Sequence, residues 1–230
     1  MKRYKTILFD ADNTLLDFLR SERAALTDTL TAMGVRFNEE MLSVYSRIND
    51  SAWKRLERGA ITKQELRTLR FREFCDCFKL ALDATTMADT YLRLLSTKSF
   101  LLPGAVDVCQ KLAEHCRLYI ITNGISSVFH GRFDCTPLFS LFLDTFVSEE
   151  IGCEKPAKAY FEAVATRISD FDPATTLVVG DSLTSDVAGG INAGLDTCWL
   201  NTTGKEAPAD MPITYTVKQL EDVVPLVLNA

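Results

Sequence analysis

Near its start the chain runs Ile7-Leu8-Phe9-Asp10-Ala11-Asp12-Asn13-Thr14-Leu15, an apolar stretch that ends in two aspartates spaced i, i+2. Three further polar signals follow: Thr122-Asn123-Gly124, Lys155-Pro156, and Gly180-Asp181 with Asp186. Several carboxylates brought together repel one another strongly unless a cation joins them. An all-oxygen set suits Mg²⁺, which takes one or two carboxylates plus water and phosphate oxygens. Lys155 and the donors of Thr122 and Asn123 suit a phosphate. Metal, phosphate clamp and a spare carboxylate together are the parts needed for phosphoryl transfer.

These groups can cooperate only if the fold gathers them. Ile7-Leu8-Phe9 lacks polar alternation, as expected of a central strand buried on both faces. Asn13 tolerates left-handed backbone, so a turn there would bring Asp10 and Asp12 to one pocket. From Ala105 onward apolar strands and helices alternate. Strands are expected at 117–124, 143–147, 175–181, 195–200 and 213–217, and helices at 105–115, 126–141 (broken near Pro137), 157–168, 185–193 and 218–228. That alternation implies an α/β fold with a doubly wound parallel sheet. Ligands of such sheets bind beyond the carboxyl ends of the strands, where all four signals fall.

Residues 18–98 differ. They show helical periodicity at about 20–33, 39–56, 65–80 and 86–95, and no strand pattern. Gly34 stops the first helix, while Thr62 with Glu65 forms a capping box for the third. The expected organisation is an α/β core of 1–17 and 99–230 with an inserted all-helical cap, 18–98.

Composition limits the partners. The chain has 230 residues and a formal charge of −6, which argues against coating nucleic acid. No apolar run approaches a membrane span, and a strand begins within five residues of the start, so neither membrane nor signal peptide is expected. Seven scattered cysteines read as reduced thiols of a cytoplasmic protein. The spacing of Cys75-Asp76-Cys77 is not that of a metal or redox pair.

In order along the chain, Asp-x-Asp-x-Thr, strand-Thr-Asn, Lys-Pro and Gly-Asp-(x)₄-Asp resemble the haloacid dehalogenase-like hydrolase superfamily, in its form with a helical cap after the first motif. Arg58-Gly59-Ala60-Ile61-Thr62, Ser148-Glu149-Glu150-Ile151-Gly152 and Gly190 to Asn201 look like the bacterial house-cleaning pyrimidine 5′-nucleotidases. The resemblance implies that Asp10 is a nucleophile forming an aspartyl-phosphate and Asp12 the acid and base for leaving group and water. Dehalogenases of the superfamily carry a non-acidic residue at the position of Asp12, because a halide leaves without a proton. The resemblance further implies Mg²⁺ held by Asp10, the Asp12 main-chain carbonyl and Asp181, with Asp186 holding metal-bound water or orienting Lys155. Thr122, the Asn123 amide and Lys155 would bind the phosphoryl oxygens. Asn13 stands where many members have Gly, and 127–142 departs from the nucleotidase wording.

The expected substrate is a small phosphate ester, a nucleotide. Phe18, Trp53 and Arg55 of the cap are candidates to contact it, since a base wants an aromatic face and a polar edge-reader. Two alternatives stand beside the nucleotidase: a sugar-phosphate or phosphoglycolate phosphatase or phosphosugar mutase, and a signalling module phosphorylated at Asp10 without turnover. Asp12 speaks against the last, because a switch has no use for a leaving-group acid. The oligomeric state is not legible.

Overall fold

The computed structural model describes residues 4–228. Six strands, β1 (Thr6–Asp10), β2 (Arg117–Thr122), β3 (Asp144–Val147), β4 (Thr176–Gly180), β5 (Asp196–Leu200) and β6 (Tyr215–Val217), form one sheet in the order β3-β2-β1-β4-β5-β6. Every pairing is parallel, with Phe9 opposite Ile120 on one side and Val179 on the other. β1 is thus central, and the chain reverses its direction of travel across the sheet beside it.

The apolar runs divide by alternation between two cores. Ile7 and Phe9 face one layer with Leu118, Ile120, Leu177 and Val179. That layer is covered by α5 (Ala105–Ala113), α6 (Ser126–Phe133) and α10 (Val223–Leu228). Leu8, Tyr119, Ile121 and Val178 face the opposite layer, covered by α8 (Lys158–Arg167) through Tyr160, Phe161 and Val164. Two short helices, α7 (Ser148–Ile151) and α9 (Ala188–Asn192), follow β3 and β4. The doubly wound parallel sheet is therefore present.

Residues 18–99 form a second compact unit, distinct from the one built by residues up to Asp17 and from Phe100 onward. It contains α1 (Phe18–Ala32), α2 (Glu39–Glu57), α3 (Lys63–Phe78) and α4 (Ala84–Leu95). Gly34 takes a left-handed φ of 69° after α1. Thr62 and Glu65 close the capping box at the start of α3. On the α/β side, the segments leading out and back pair as a short ribbon: Asp17 N–H donates to the Phe100 carbonyl, and Leu102 N–H to that of Leu15, both at 2.9 Å.

Several boundaries differ from expectation: α6 stops at Phe133 and not near Leu141, and three further differences have a plain physical reason. β6 starts at Tyr215, because the Ile213 N–H is used in a turn to the Met211 carbonyl at 2.8 Å. The last helix starts at Val223 instead of Lys218. A start at Lys218 would bury Pro225 in a helix interior, whereas from Val223 the proline falls in the first turn, where its missing N–H is harmless. The helix after β4 opens as a widened π-helical turn, Leu183–Val187, in which the Val187 N–H reaches back to the Ser182 carbonyl at 3.1 Å. Among the described residues no helix is long and apolar enough to cross a membrane. All seven cysteines are free thiols.

Candidate active site

Five segments bring polar side chains to the carboxyl edge of the sheet. The first is the turn after β1. Asn13 adopts φ 60°, and Leu15 and Leu16 N–H groups both return to the Ala11 carbonyl, at 2.9 and 2.8 Å. This closes the chain tightly behind Asp10. Thr14 Oγ1 donates to Asp10 Oδ2 at 3.1 Å.

Lys155 arrives from the loop after α7 and is buried. Its ammonium donates to Asp10 Oδ1 at 2.8 Å, Asp186 Oδ1 at 2.6 Å and the Ile121 carbonyl at 2.9 Å. An ammonium has three protons, so each has an acceptor. Lys155 therefore sits as a fixed positive charge between two carboxylates, and a phosphoryl oxygen would have to displace one of these acceptors to bond it directly.

Asn123 holds Lys155 from behind. Its side-chain Nδ2 donates to the Lys155 carbonyl at 2.8 Å, and its Oδ1 accepts the Lys155 N–H at 2.9 Å. The Asn123 side chain is thus spent on placing Lys155. Thr122 Oγ1 accepts the Gly124 N–H at 3.0 Å, and as a hydroxyl it retains a proton to donate.

After β4, Asp181 and Asp186 close the far side. The widened turn folds Asp186 back so that the Ser182 N–H donates to its Oδ2 at 3.1 Å. This return needs Gly180: a Cβ there would stand 2.3 Å from Asp186 Oδ2. Trp199, which the apolar run of β5 marks as core, donates its Nε1–H to the Asp181 carbonyl at 2.9 Å and pins that loop. None of the hydrogen bonds among the described residues reaches the Asp181 carboxylate.

Asp10, Asp181 and Asp186 each offer an oxygen within 4.8 Å of the others. Burial, and then the charge of Asp186, push Asp10 up to about 7 despite Lys155. Burial, with Asp10 and Asp186, pushes Asp181 up to about 8. Burial pulls on Lys155 in the opposite sense, but the two carboxylates outweigh it and hold the ammonium above its ordinary value. Burial and mutual repulsion, which raise both carboxylates, are what a divalent cation relieves. The all-oxygen donor set fits Mg²⁺ and not a thiophilic metal.

Asp12 points elsewhere. Its Oδ1 accepts from Arg132 Nη1 at 2.6 Å. Arg132 has no counterpart in the sequence expectations. Its signal lay in the buried stripe of α6, Val128, Phe129, Arg132 and Phe133, where an arginine occupies an apolar position.

The remaining sequence candidates belong to the helical unit. Phe18 is half-buried at the start of α1. Trp53 packs against Ala52, Leu56 and Leu66, the core role an aromatic at helical spacing ordinarily has. Arg55 pairs with Glu73 at 2.7 Å and lines a groove of about 440 Å³ with Ile61, Gln64, Thr68, Leu69 and Arg72.

A family model described as haloacid dehalogenase-like hydrolase matches residues 4–194. The chain is 38% identical to the HAD-hydrolase YfnB of Bacillus subtilis, covering 97% of this chain and 95% of that one. It is 37% identical to the pyrimidine 5′-nucleotidase PynA of Streptococcus pneumoniae (96% and 94% covered). It is 32% identical to the pyrimidine 5′-nucleotidase YjjG of Escherichia coli (96% of each). A crystal structure of YfnB bound to magnesium superposes with a TM-score of 0.95 at 37% identity, covering 99% of this chain and all of that one.

Proposed function

Because the chain belongs to the haloacid dehalogenase-like hydrolase family, we propose that it is a Mg²⁺-dependent phosphomonoesterase that passes the phosphoryl group through Asp10 and acts on pyrimidine nucleoside 5′-monophosphates. Asp10 attacks phosphorus, forming an aspartyl-phosphate as the bond to the ester oxygen breaks. Asp12 gives its proton to that departing oxygen. It then takes a proton from the water that attacks the same phosphorus, and Asp10 is released as a carboxylate. Thr122 and the main-chain amide of Asn123 receive the phosphoryl oxygens, and Lys155 supplies a buried positive charge beside Asp10. Asp10, Asp181 and the Asp12 carbonyl would hold the metal, with Asp186 orienting Lys155. When bound, Mg²⁺ supplies the charge that keeps Asp10 ionised and offsets the phosphate.

The observation that carries this reading is the meeting of Asp10, Lys155, Asp181 and Asp186 at one sheet edge, with an acidic residue two positions after the nucleophile. The nucleotide preference rests on the similarity to PynA and YjjG. Choice of leaving group is assigned to the helical unit as a cap, where Phe18, Trp53 and Arg55 are the residues to substitute. The free thiols agree with a cytoplasmic place of work.

Release of inorganic phosphate from a panel of esters, with Mg²⁺ and with chelator, tests the proposal. The expected result is Mg²⁺-dependent turnover fastest with pyrimidine nucleoside monophosphates. A sugar phosphate or phosphoglycolate as best substrate would overturn the nucleotide assignment. Stoichiometric labelling of Asp10 without turnover would overturn the enzyme.

A further inference from the structure

Arg132 is among the largest fully buried side chains of the molecule. It lies on the face of α6 that presents Phe129 and Phe133 to the core, two rings stacked at 5.2 Å. A guanidinium in such a stripe is costly unless it is paired. Its ion pair is with a residue 120 positions earlier: Nη1 lies 2.6 Å from Asp12 Oδ1, with the Arg132 side chain 1% exposed and that of Asp12 30% exposed.

The other Asp12 oxygen faces differently. Oδ2 lies 3.9 Å from where a Cβ on Gly124 would stand, and Thr122 Oγ1 lies 3.2 Å from the same point. Oδ2 thus looks onto the loop that ends β2, and no described residue hydrogen-bonds to it. We propose that Arg132 is a positioning residue for Asp12, gripping Oδ1 so that Oδ2 alone is presented to the leaving oxygen and, in the second half of the reaction, to water.

The chemistry favours this division of labour. A guanidinium only donates, so its positive charge at Oδ1 disfavours a proton on that oxygen and directs the shuttled proton to Oδ2. The planar fork resists rotation of the carboxylate better than a point ammonium does. The inference rests on Asp12 being the acid and base of the proposed phosphatase.

Two esters separate positioning from general damage. The alkoxide of a nucleoside monophosphate needs a proton to leave, whereas the nitrophenolate of 4-nitrophenyl phosphate does not. Arg132→Met keeps the slot filled and removes the donors. Its kcat on the nucleotide should fall by roughly 10²-fold, the scale of general acid catalysis, with KM little changed. With 4-nitrophenyl phosphate it should give a rapid burst of nitrophenolate equal to the enzyme, then slow turnover, because aspartyl-phosphate hydrolysis still needs the base. Arg132→Lys retains the buried charge and guards against a variant that does not fold. It should move the ratio of burst rate to nucleotide rate in the same direction by about tenfold, an order-of-magnitude expectation for loss of the fork. Asp12→Asn should show the same signature as Arg132→Met. Equal losses on both esters, or an unmoved ratio in Arg132→Lys, would overturn the inference while leaving the phosphatase reading intact. A wild-type protein that turns over neither ester would sink the phosphatase reading, and the inference with it.

Discussion

Each unit buries an arginine near a carboxylate, and the two arrangements differ in kind. In the helical unit, Arg70 donates to Asn49 Oδ1 at 2.6 Å, and Asn49 Nδ2 donates to Glu22 Oε1 at 2.7 Å. A neutral amide separates the two charges. The rest of the guanidinium lies against aromatic faces, 5.2 Å from the Phe71 centroid and 5.3 Å from that of Tyr91. One cation meets one anion, and all three residues are buried. At the sheet edge, among the described residues, Asp10, Asp181 and Asp186 meet one cation, Lys155, while Asp12 beside them pairs with Arg132. In the helical cluster the charges balance one to one, although Arg70 Nε and Nη2 lie buried with no hydrogen-bond partner among the described residues, and the cluster reads as architecture. The sheet-edge cluster has an excess of negative charge that a divalent cation would balance, which marks it as a place for chemistry. A buried polar network is therefore informative about function through its imbalance, not through its presence.

The largest expected effect breaks the sheet-edge cluster at its centre. Asp10→Asn should lower turnover by roughly 10⁴-fold or more, the scale of losing a nucleophile, with the fold intact by circular dichroism. Activity within tenfold of wild type would mean that another group attacks.

A matched pair of substitutions then tests the contrast directly. Lys155→Met leaves Asp10 and Asp186 buried without their cation. It should destabilise by about 3–5 kcal/mol in denaturant melts without metal, and lower turnover by roughly 10²-fold. Arg70→Met should destabilise by about 1–3 kcal/mol and leave turnover unchanged. If Arg70→Met abolished turnover, the helical cluster would not be merely architectural.

The pH dependence sharpens the comparison further. Asp10 and Asp181 sit at about 7 and about 8 when folded, against an ordinary 3.8. The folded state therefore binds protons that the unfolded state has released. Their contribution to stability is full below about pH 4 and is lost as pH rises through 7 to 8. Without metal, the melting temperature of wild type should fall relative to Asp181→Asn across that range. Mg²⁺ should restore wild type most at the alkaline end. A difference between the two proteins that does not vary with pH would contradict the shifts.

The smallest effect is local to the helical unit. Thr62→Ala removes the capping box of α3 and should cost about 1 kcal/mol, read by thermal melts, with no change in turnover.

Much of this is legible in the sequence alone. The unalternated run Ile7-Leu8-Phe9 announced a strand buried on both faces, Asn13 its left-handed turn, and Thr62 with Glu65 the start of a helix. Asp10 and Asp181 stand out because polar residues interrupt apolar strand ends, and parallel strands share one edge; Lys155 and Asp186, in a loop and a helical turn, stand out only through the family order of their motifs. Arg132 escaped notice because its partner is 120 residues away and its own surroundings are apolar. The widened turn that returns Asp186 to Lys155 escaped too, since a helix with one extra residue per turn has nearly the same periodicity.

Local chemistry by itself determined the strands, the helix caps and the identity of the acidic and basic candidates, because these depend on near neighbours in the chain. Only the tertiary structure decided which charges touch. It saturated Lys155 with three acceptors, spent the Asn123 side chain on holding that lysine, and turned Asp12 toward Arg132. Those outcomes depend on distances between segments 31 to 145 residues apart, and pairing energies between buried charges vary too steeply with distance and burial to be read from spacing.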